Sequence, residues 1–234
     1  MSDKTKIPSV GHETRVTRQA HSAFFRVLLS FLDRKLDTHL DFFSGSRNLP
    51  KHGPVIIVPN HQSYFDGFAI TCLFWKLTHR KVRIPTNIKA LTDPLTTFLQ
   101  VAGGAVPIDP ADKSDTYTRI SGLLKQGEAV VIYPEGTRSD GTFLHPFKFG
   151  AFNLAVELGV PILPVAVRNF ANILPKGEMR FRRGETGSIV FGELIDPKDP
   201  RFDGKDNRDV AARLCAEVRD WMQKTAFTAH GSGE

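Results

Sequence analysis

Val55-Ile56-Ile57-Val58-Pro59-Asn60-His61-Gln62-Ser63-Tyr64-Phe65-Asp66 passes from an unbroken apolar run, through a proline and polar residues, into a stretch with helical spacing. The run from Val55 to Val58 reads as a buried strand, and Pro59 to Gln62 ends it. A helix follows from about Ser63 through Leu77, with Phe68, Thr71, Cys72, Phe74 and Trp75 as apolar surface. Further strands are expected at Val82 to Asn87, Ala105 to Ile108, Glu128 to Tyr133 and Pro161 to Val167. Helices are expected at Pro94 to Val101, Thr116 to Lys125 and Phe149 to Leu158. Met179 to Ile195 suggests a hairpin or two edge strands. A last helix from Arg208 to Lys224 carries Val210, Leu214, Val218, Trp221 and Met222 at helical spacing. Strands alternating with helices predict an α/β fold, a largely parallel mixed sheet flanked by helices in a single domain. Ligand sites in such sheets gather at the carboxyl ends of strands, where Asn60-His61 and Pro134-Glu135 both stand.

Ahead of this unit, Arg15 to Leu40 reads as an amphipathic helix. Phe24, Leu28, Phe31, Leu32 and Leu36 share one face, flanked by Arg18, Arg26, Arg34 and Lys35. Two readings of that face are open: packing on the domain itself, or burial in a membrane interface with the cations toward anionic headgroups. The expected organisation is an N-terminal helical segment over 1–40, the main domain over 41–225 and a loose tail over 226–234. The chain of 234 residues has 31 Lys and Arg against 25 Asp and Glu, with a pI of about 9.4. That excess suits an anionic partner or a solvated basic surface. No run approaches the roughly eighteen apolar residues that a membrane span needs, and the N-terminus lacks a signal-peptide pattern. The expectation is a cytoplasmic protein, peripheral on the cytoplasmic face of a membrane. Cys72 and Cys215 lie far apart in apolar patterns, as free buried thiols do.

Two clusters carry the chemistry. In the first, His61 is followed five positions on by Asp66. A neutral imidazole can take the proton of an attacking hydroxyl while the carboxylate holds its tautomer. Ser63 and Asp66 also form the Ser-x-x-acid pattern of a helix capping box, and the two roles are compatible. The second cluster is Tyr133-Pro134-Glu135-Gly136-Thr137-Arg138-Ser139, a strand-end loop in which Arg138 suits bidentate binding of a phosphate and Glu135 could orient it or acceptor hydroxyls. A charged turn closed by its own ion pair is the competing reading of that loop. No Gly-x-Ser-x-Gly elbow of a serine hydrolase occurs, and neither Gly-rich nucleotide-binding pattern does. Arg180, Arg182 and Arg183 would be the patch of a nucleic-acid-binding or membrane-binding module, but they fit a solvated edge strand better.

Asn-His-Gln-Ser-x-x-Asp followed some seventy residues later by Pro-Glu-Gly-Thr-Arg-Ser resembles the glycerolipid acyltransferases, most nearly their 1-acylglycerol-3-phosphate branch. Lys89, Phe147-Lys148-Phe149-Gly150-Ala151 and Val160-Pro161-Ile162-Leu163-Pro164-Val165 are similar to family blocks in order and spacing. The likeness covers about Val55 to Val167. It implies acyl transfer from acyl-CoA or acyl-carrier protein to a lysophospholipid, without metal or cofactor; the membrane surface as a partner follows from the N-terminal helix, and no nucleic acid is expected. It makes His61 and Asp66 the catalytic pair and assigns Glu135, Gly136, Thr137 and Arg138, with Lys89, to acceptor binding. One departure stands out: Pro110 follows Ile108-Asp109 where family members often carry a second phosphate-binding Arg. Lys113 is the nearby cation that could replace it, and otherwise an acceptor without a phosphomonoester is implied.

Overall fold

In a computed structural model, residues 33–88, 103–178 and 180–227 are described. The expected helix Pro94 to Val101, the part of the expected helix Arg15 to Leu40 that precedes residue 33, Lys89 and residues 228–234 of the expected tail lie outside them. Among the described residues seven strands form one sheet in the order β1-β7-β6-β2-β5-β3-β4. They are β1 (Leu40–Ser44), β2 (Val55–Pro59), β3 (Val82–Asn87), β4 (Ala105–Ile108), β5 (Ala129–Val131), β6 (Ile162–Arg168) and β7 (Gly187–Phe191). The five strands from β6 to β4 run parallel, β7 is antiparallel to β6, and β1 is parallel to β7.

β2 lies in the middle because both its faces are apolar. Val55 and Ile57 point into a core with Phe65, Ile70 and Phe74 of α1 (Tyr64–Thr78). Ile56 and Val58 point the other way, into a core with residues of three further helices. These are α2 (Lys113–Lys125), α3 (Gly150–Leu158) and α5 (Asn207–Phe227), which supply Leu124, Phe152, and Leu214 and Val218. A short α4 (Phe170–Ile173) follows β6. At the sheet end away from His61, Arg80 donates to the carbonyls of Pro50, Gly53 and Gly127 and ties three loops together.

Several boundaries differ from those expected. Helix α2 begins at Lys113 because the Asp112 side chain accepts from the Asp115 amide and caps it there. Neither a hairpin nor two edge strands form over the described residues of the stretch from Met179 to Ile195. One strand, β7, forms instead and pairs antiparallel with β6, and Ile195 makes an isolated bridge to Ile162. Residues 33–39 are helical as expected, but Leu40 already belongs to strand β1. That short helical stretch packs on the domain: Leu36 is in the core, and Lys76 pairs with Asp33 at 2.6 Å. The last helix extends through Phe227, past the expected Lys224. Both cysteines are buried and free, and burial pushes the Cys72 thiol up to about 12.

Candidate active site

The turn after β2 is held from both sides. Asn60 is buried, and its amide pairs with the Val167 backbone of β6 in both directions, donating at 2.9 Å and accepting at 2.7 Å. Gln62 repeats the device, donating to the Val167 carbonyl at 3.1 Å and accepting from the Phe170 amide at 2.9 Å. The residue between them, His61, is thereby left facing outward. Asn60 and Gln62 carried no assigned role in the sequence, because their partners lie more than a hundred positions away.

His61 and Asp66 meet as expected, with Nδ1 and Oδ2 2.8 Å apart. The same oxygen accepts from the amides of Gln62 (2.7 Å) and Ser63 (2.9 Å), while Ser63 caps the helix through the Phe65 amide. Cap and pair therefore coexist in one carboxylate. Asp66 Oδ2, already receiving two amide protons, accepts from the ring as well, so Nδ1 carries a proton and the lone pair of the neutral imidazole is on Nε2. Nε2 has no hydrogen-bond partner among the described residues, and the His61 side chain is 19% exposed while that of Asp66 is sealed. Tyr133 stacks on the imidazole, centroids 3.9 Å apart at 24°. Burial, reinforced by the Asp66 charge, raises the Tyr133 hydroxyl well above its ordinary value and keeps it neutral.

The second cluster arrives from β5. Glu135 is 3% exposed, and its two oxygens accept separately from the amides of His61 (2.7 Å) and His145 (2.8 Å). Burial raises its carboxyl, and the two amide bonds oppose that rise. Glu135 thus joins the two motifs through the backbone, and its carboxylate makes no ion pair with Arg138 among the described residues. Arg138 instead lies over the Tyr64 ring, 3.9 Å from its centroid. Gly136 takes φ 67°, where a side chain would be strained, and an added Cβ would stand 2.5 Å from the Lys148 ammonium. Thr137 and Lys148 are exposed at the rim. Ser139 closes the loop by donating its amide to the His61 carbonyl at 2.8 Å.

Beside Arg138 opens a cleft of about 420 Å³ whose walls include Ser139, Phe143, His145, Asn172, Lys176 and Arg182. Lys113, exposed at the start of α2, follows the edge strand β4 on the opposite side of β2 from Lys176 and Arg182. Among the described residues no group of three or more His, Cys, Asp or Glu is placed to hold a metal ion.

The model of the family described as Acyltransferase matches residues 42–168, more than half of the chain. The chain belongs to the acyltransferase family. Within it, similarity reaches 33% over 181 residues to a chloroplastic 1-acyl-sn-glycerol-3-phosphate acyltransferase of Brassica napus, covering 75% of this chain and 48% of that protein. The enzyme of the same name from Salmonella typhimurium is 30% identical over 171 residues, 70% of this chain and 65% of its own. The human beta enzyme of that name is 34% identical over 142 residues, 59% and 50% of the two chains. The chain spans about half the length of the curated relatives it matches. The fold is shared with the crystal structure of the 1-acyl-sn-glycerophosphate acyltransferase PlsC from Thermotoga maritima. Its TM-score is 0.69 at 23% identity, over 92% of this chain and 85% of that one.

Proposed function

We propose that this acyltransferase moves a fatty acyl group from acyl-CoA or acyl-carrier protein to the free hydroxyl of 1-acylglycerol-3-phosphate, giving phosphatidic acid. The observation that carries this is the His61–Asp66 pair at 2.8 Å, with no hydrogen-bond partner on Nε2 among the described residues and the His61 carbonyl bonded to the Ser139 amide. His61 Nε2 takes the proton of the acceptor hydroxyl as its oxygen attacks the thioester carbon. The tetrahedral intermediate then collapses, the carbon–sulfur bond breaks, and the departing sulfur receives the proton from His61. Asp66 holds the tautomer and stabilises the imidazolium that forms in between. The substrate itself is the nucleophile, so no protein Ser or Cys is acylated, and no metal or cofactor has a step.

Arg138 is the guanidinium for the acceptor's phosphate, with Lys89 as a second cation. Glu135 and Gly136 shape the loop that presents Thr137 and Arg138. A membrane-surface location is supported by Tyr64 and Phe68, both exposed and one turn apart on α1. Among the described residues no helix is long and apolar enough to cross a membrane. The organisation that fits is a single acyltransferase domain over 41–225 behind an N-terminal helical segment, peripheral on the cytoplasmic face. Pro110 favours one second reading, the same chemistry on an acceptor without a phosphomonoester.

Thiol release from acyl-CoA and from acyl-carrier protein, with products read by mass spectrometry across lysolipids with and without phosphate, tests all of this. Phosphatidic acid from lysophosphatidic acid is the expected product. Absence of thiol release with every lysolipid and both donors overturns the reading.

A further inference from the structure

We propose that Asn169, working through Gln62, is a positioning residue for the His61 base, a role that rests on the acyl-transfer reading above. Asn169 stands between β6 and α4 with φ 63° and ψ 10°, in the left-handed region. Among the described residues other than glycine only His79 shares a positive φ, and it ends α1 far from the catalytic turn. Left-handed backbone is costly for a residue with a Cβ, and asparagine adopts it most readily because its short amide can bond locally. Here the whole amide is used. Nδ2 donates to the Thr186 carbonyl at 2.6 Å and to Glu185 Oε2 at 3.3 Å, while Oδ1 accepts from Asn172 at 2.6 Å. Thr186 is held from its other side by β1, its hydroxyl donating to Asp41 at 3.0 Å. The turn after β6 is thus fastened to the β1–β7 edge of the sheet.

What this turn presents to the site is a backbone amide. The left-handed residue redirects the chain between Val167, still in β6, and Phe170, the first residue of α4. Those are the two backbone groups that the Gln62 side chain bonds, the Val167 carbonyl at 3.1 Å and the Phe170 amide at 2.9 Å. Asn60 also donates to the Val167 carbonyl, at 2.9 Å, so the Phe170 amide is the contact that Gln62 adds. Gln62 is 1% exposed, and its own backbone amide donates at 2.7 Å to Asp66 Oδ2, the oxygen that meets His61 Nδ1 at 2.8 Å. A displaced Phe170 amide therefore moves Gln62, and with it one of the donors that aim the carboxylate. Asn169 acts along this path on the direction of the imidazole, at a distance from the reacting atoms.

The test uses Asn169→Ala and Asn169→Gly; the side chain is only half-buried, so folding should survive. Glycine restores the left-handed backbone but still lacks the tie to Thr186. kcat and KM are measured on lysophosphatidic acid with acyl-CoA. Beside them is read the downfield proton NMR resonance of the His61 Nδ1–H, identified by its loss in His61→Ala. Both variants should lower kcat by roughly ten- to a hundredfold, alanine more than glycine, with both KM values within about threefold. The resonance should shift or broaden in both. Gln62→Met completes a double-mutant cycle, in which adding Asn169→Ala should lower kcat by no more than about a further threefold. Wild-type kcat in either folded Asn169 variant, a loss confined to KM, or losses that multiply in the double variant overturns the proposal. If Gln62→Met fails to fold, the Asn169 variants decide by kcat and the resonance. A resonance that moves in the Asn169 variants of a protein inactive on every lysolipid supports the positioning role and overturns the acyl-transfer reading instead. A resonance that stays in place there overturns the positioning role.

Discussion

The turn at Asn60 to Asp66 and the loop at Pro134 to Ser139 both follow central parallel strands, yet they are built in opposite ways. In the first, every polar side chain from Asn60 to Ser63, and Asp66 with them, bonds to a partner, and the net result is one fixed imidazole. In the second, Glu135 and Ser139 are locked at the two ends, while Gly136 and Thr137 between them are exposed and Arg138 rests on the Tyr64 ring. A group that moves protons gains from a fixed direction, because its lone pair must meet one substrate atom. A group that binds a charged headgroup tolerates a softer mounting. Glu135 joins the two halves, since one carboxylate holds an amide of each.

The largest effect should come from the rigid half. His61→Ala removes the base and should cost about a hundred- to ten-thousand-fold in kcat, with the folded state preserved by thermal melt. Near-normal turnover in the folded variant would break the mechanism. Asp66→Asn should cost about ten- to a thousandfold in kcat through the wrong ring tautomer, and it also weakens the cap by about 1 kcal/mol. A variant that loses stability and keeps its rate would leave Asp66 only the capping role.

Glu135→Gln tests the joint between the halves. One of two amide donors would then face an NH2 group, a cost of about 1–3 kcal/mol in stability that chemical denaturation would read. The sign of its pH dependence follows from the raised carboxyl. A raised folded value means that the folded state holds the proton more tightly than the unfolded one. Its stabilising contribution is complete below the ordinary glutamate value and is lost as pH rises through the folded value. The stability gap between wild type and Glu135→Gln should therefore narrow as pH rises across that window, and a widening gap would refute the assignment. The smallest effect is expected from Tyr133→Phe, which keeps the stacked ring and should leave kcat within about threefold. Tyr133→Leu should lower kcat further with acceptor KM unchanged, and identical rates for Phe and Leu would deny the stack any positioning role.

Much of the fold was legible in the chain. Val55 to Val58 marked a buried strand, and β3 to β6 with α1, α2, α3 and α5 around it followed from apolar period. His61, Asp66 and the capping Ser63 could be paired in advance because they lie within one turn of one another, so local geometry alone brings them together. Strand β1 was not legible: Leu40-Asp41-Phe42-Phe43-Ser44 has no buried face, and among the described residues its one neighbour in the sheet is β7. The antiparallel β7 escaped for a related reason, since a strand's direction depends on which distant strand it meets and leaves no trace in its own period.

The site divides along the same line. Sequence by itself determined the alternation of elements, the strand-end address of both motifs and the His61–Asp66 pair, all of which rest on contacts between near neighbours in the chain. Tertiary structure alone decided that Glu135 binds two backbone amides, that Arg138 lies on Tyr64, and that Asn60 and Gln62 fasten to β6. It also decided that Lys176 and Arg182 share a cleft with Arg138. The physical reason is that hydrogen bonds and charges act over a few ångströms of space whatever the separation in sequence. Which distant groups come that close is set by how the two cores pack on either side of β2.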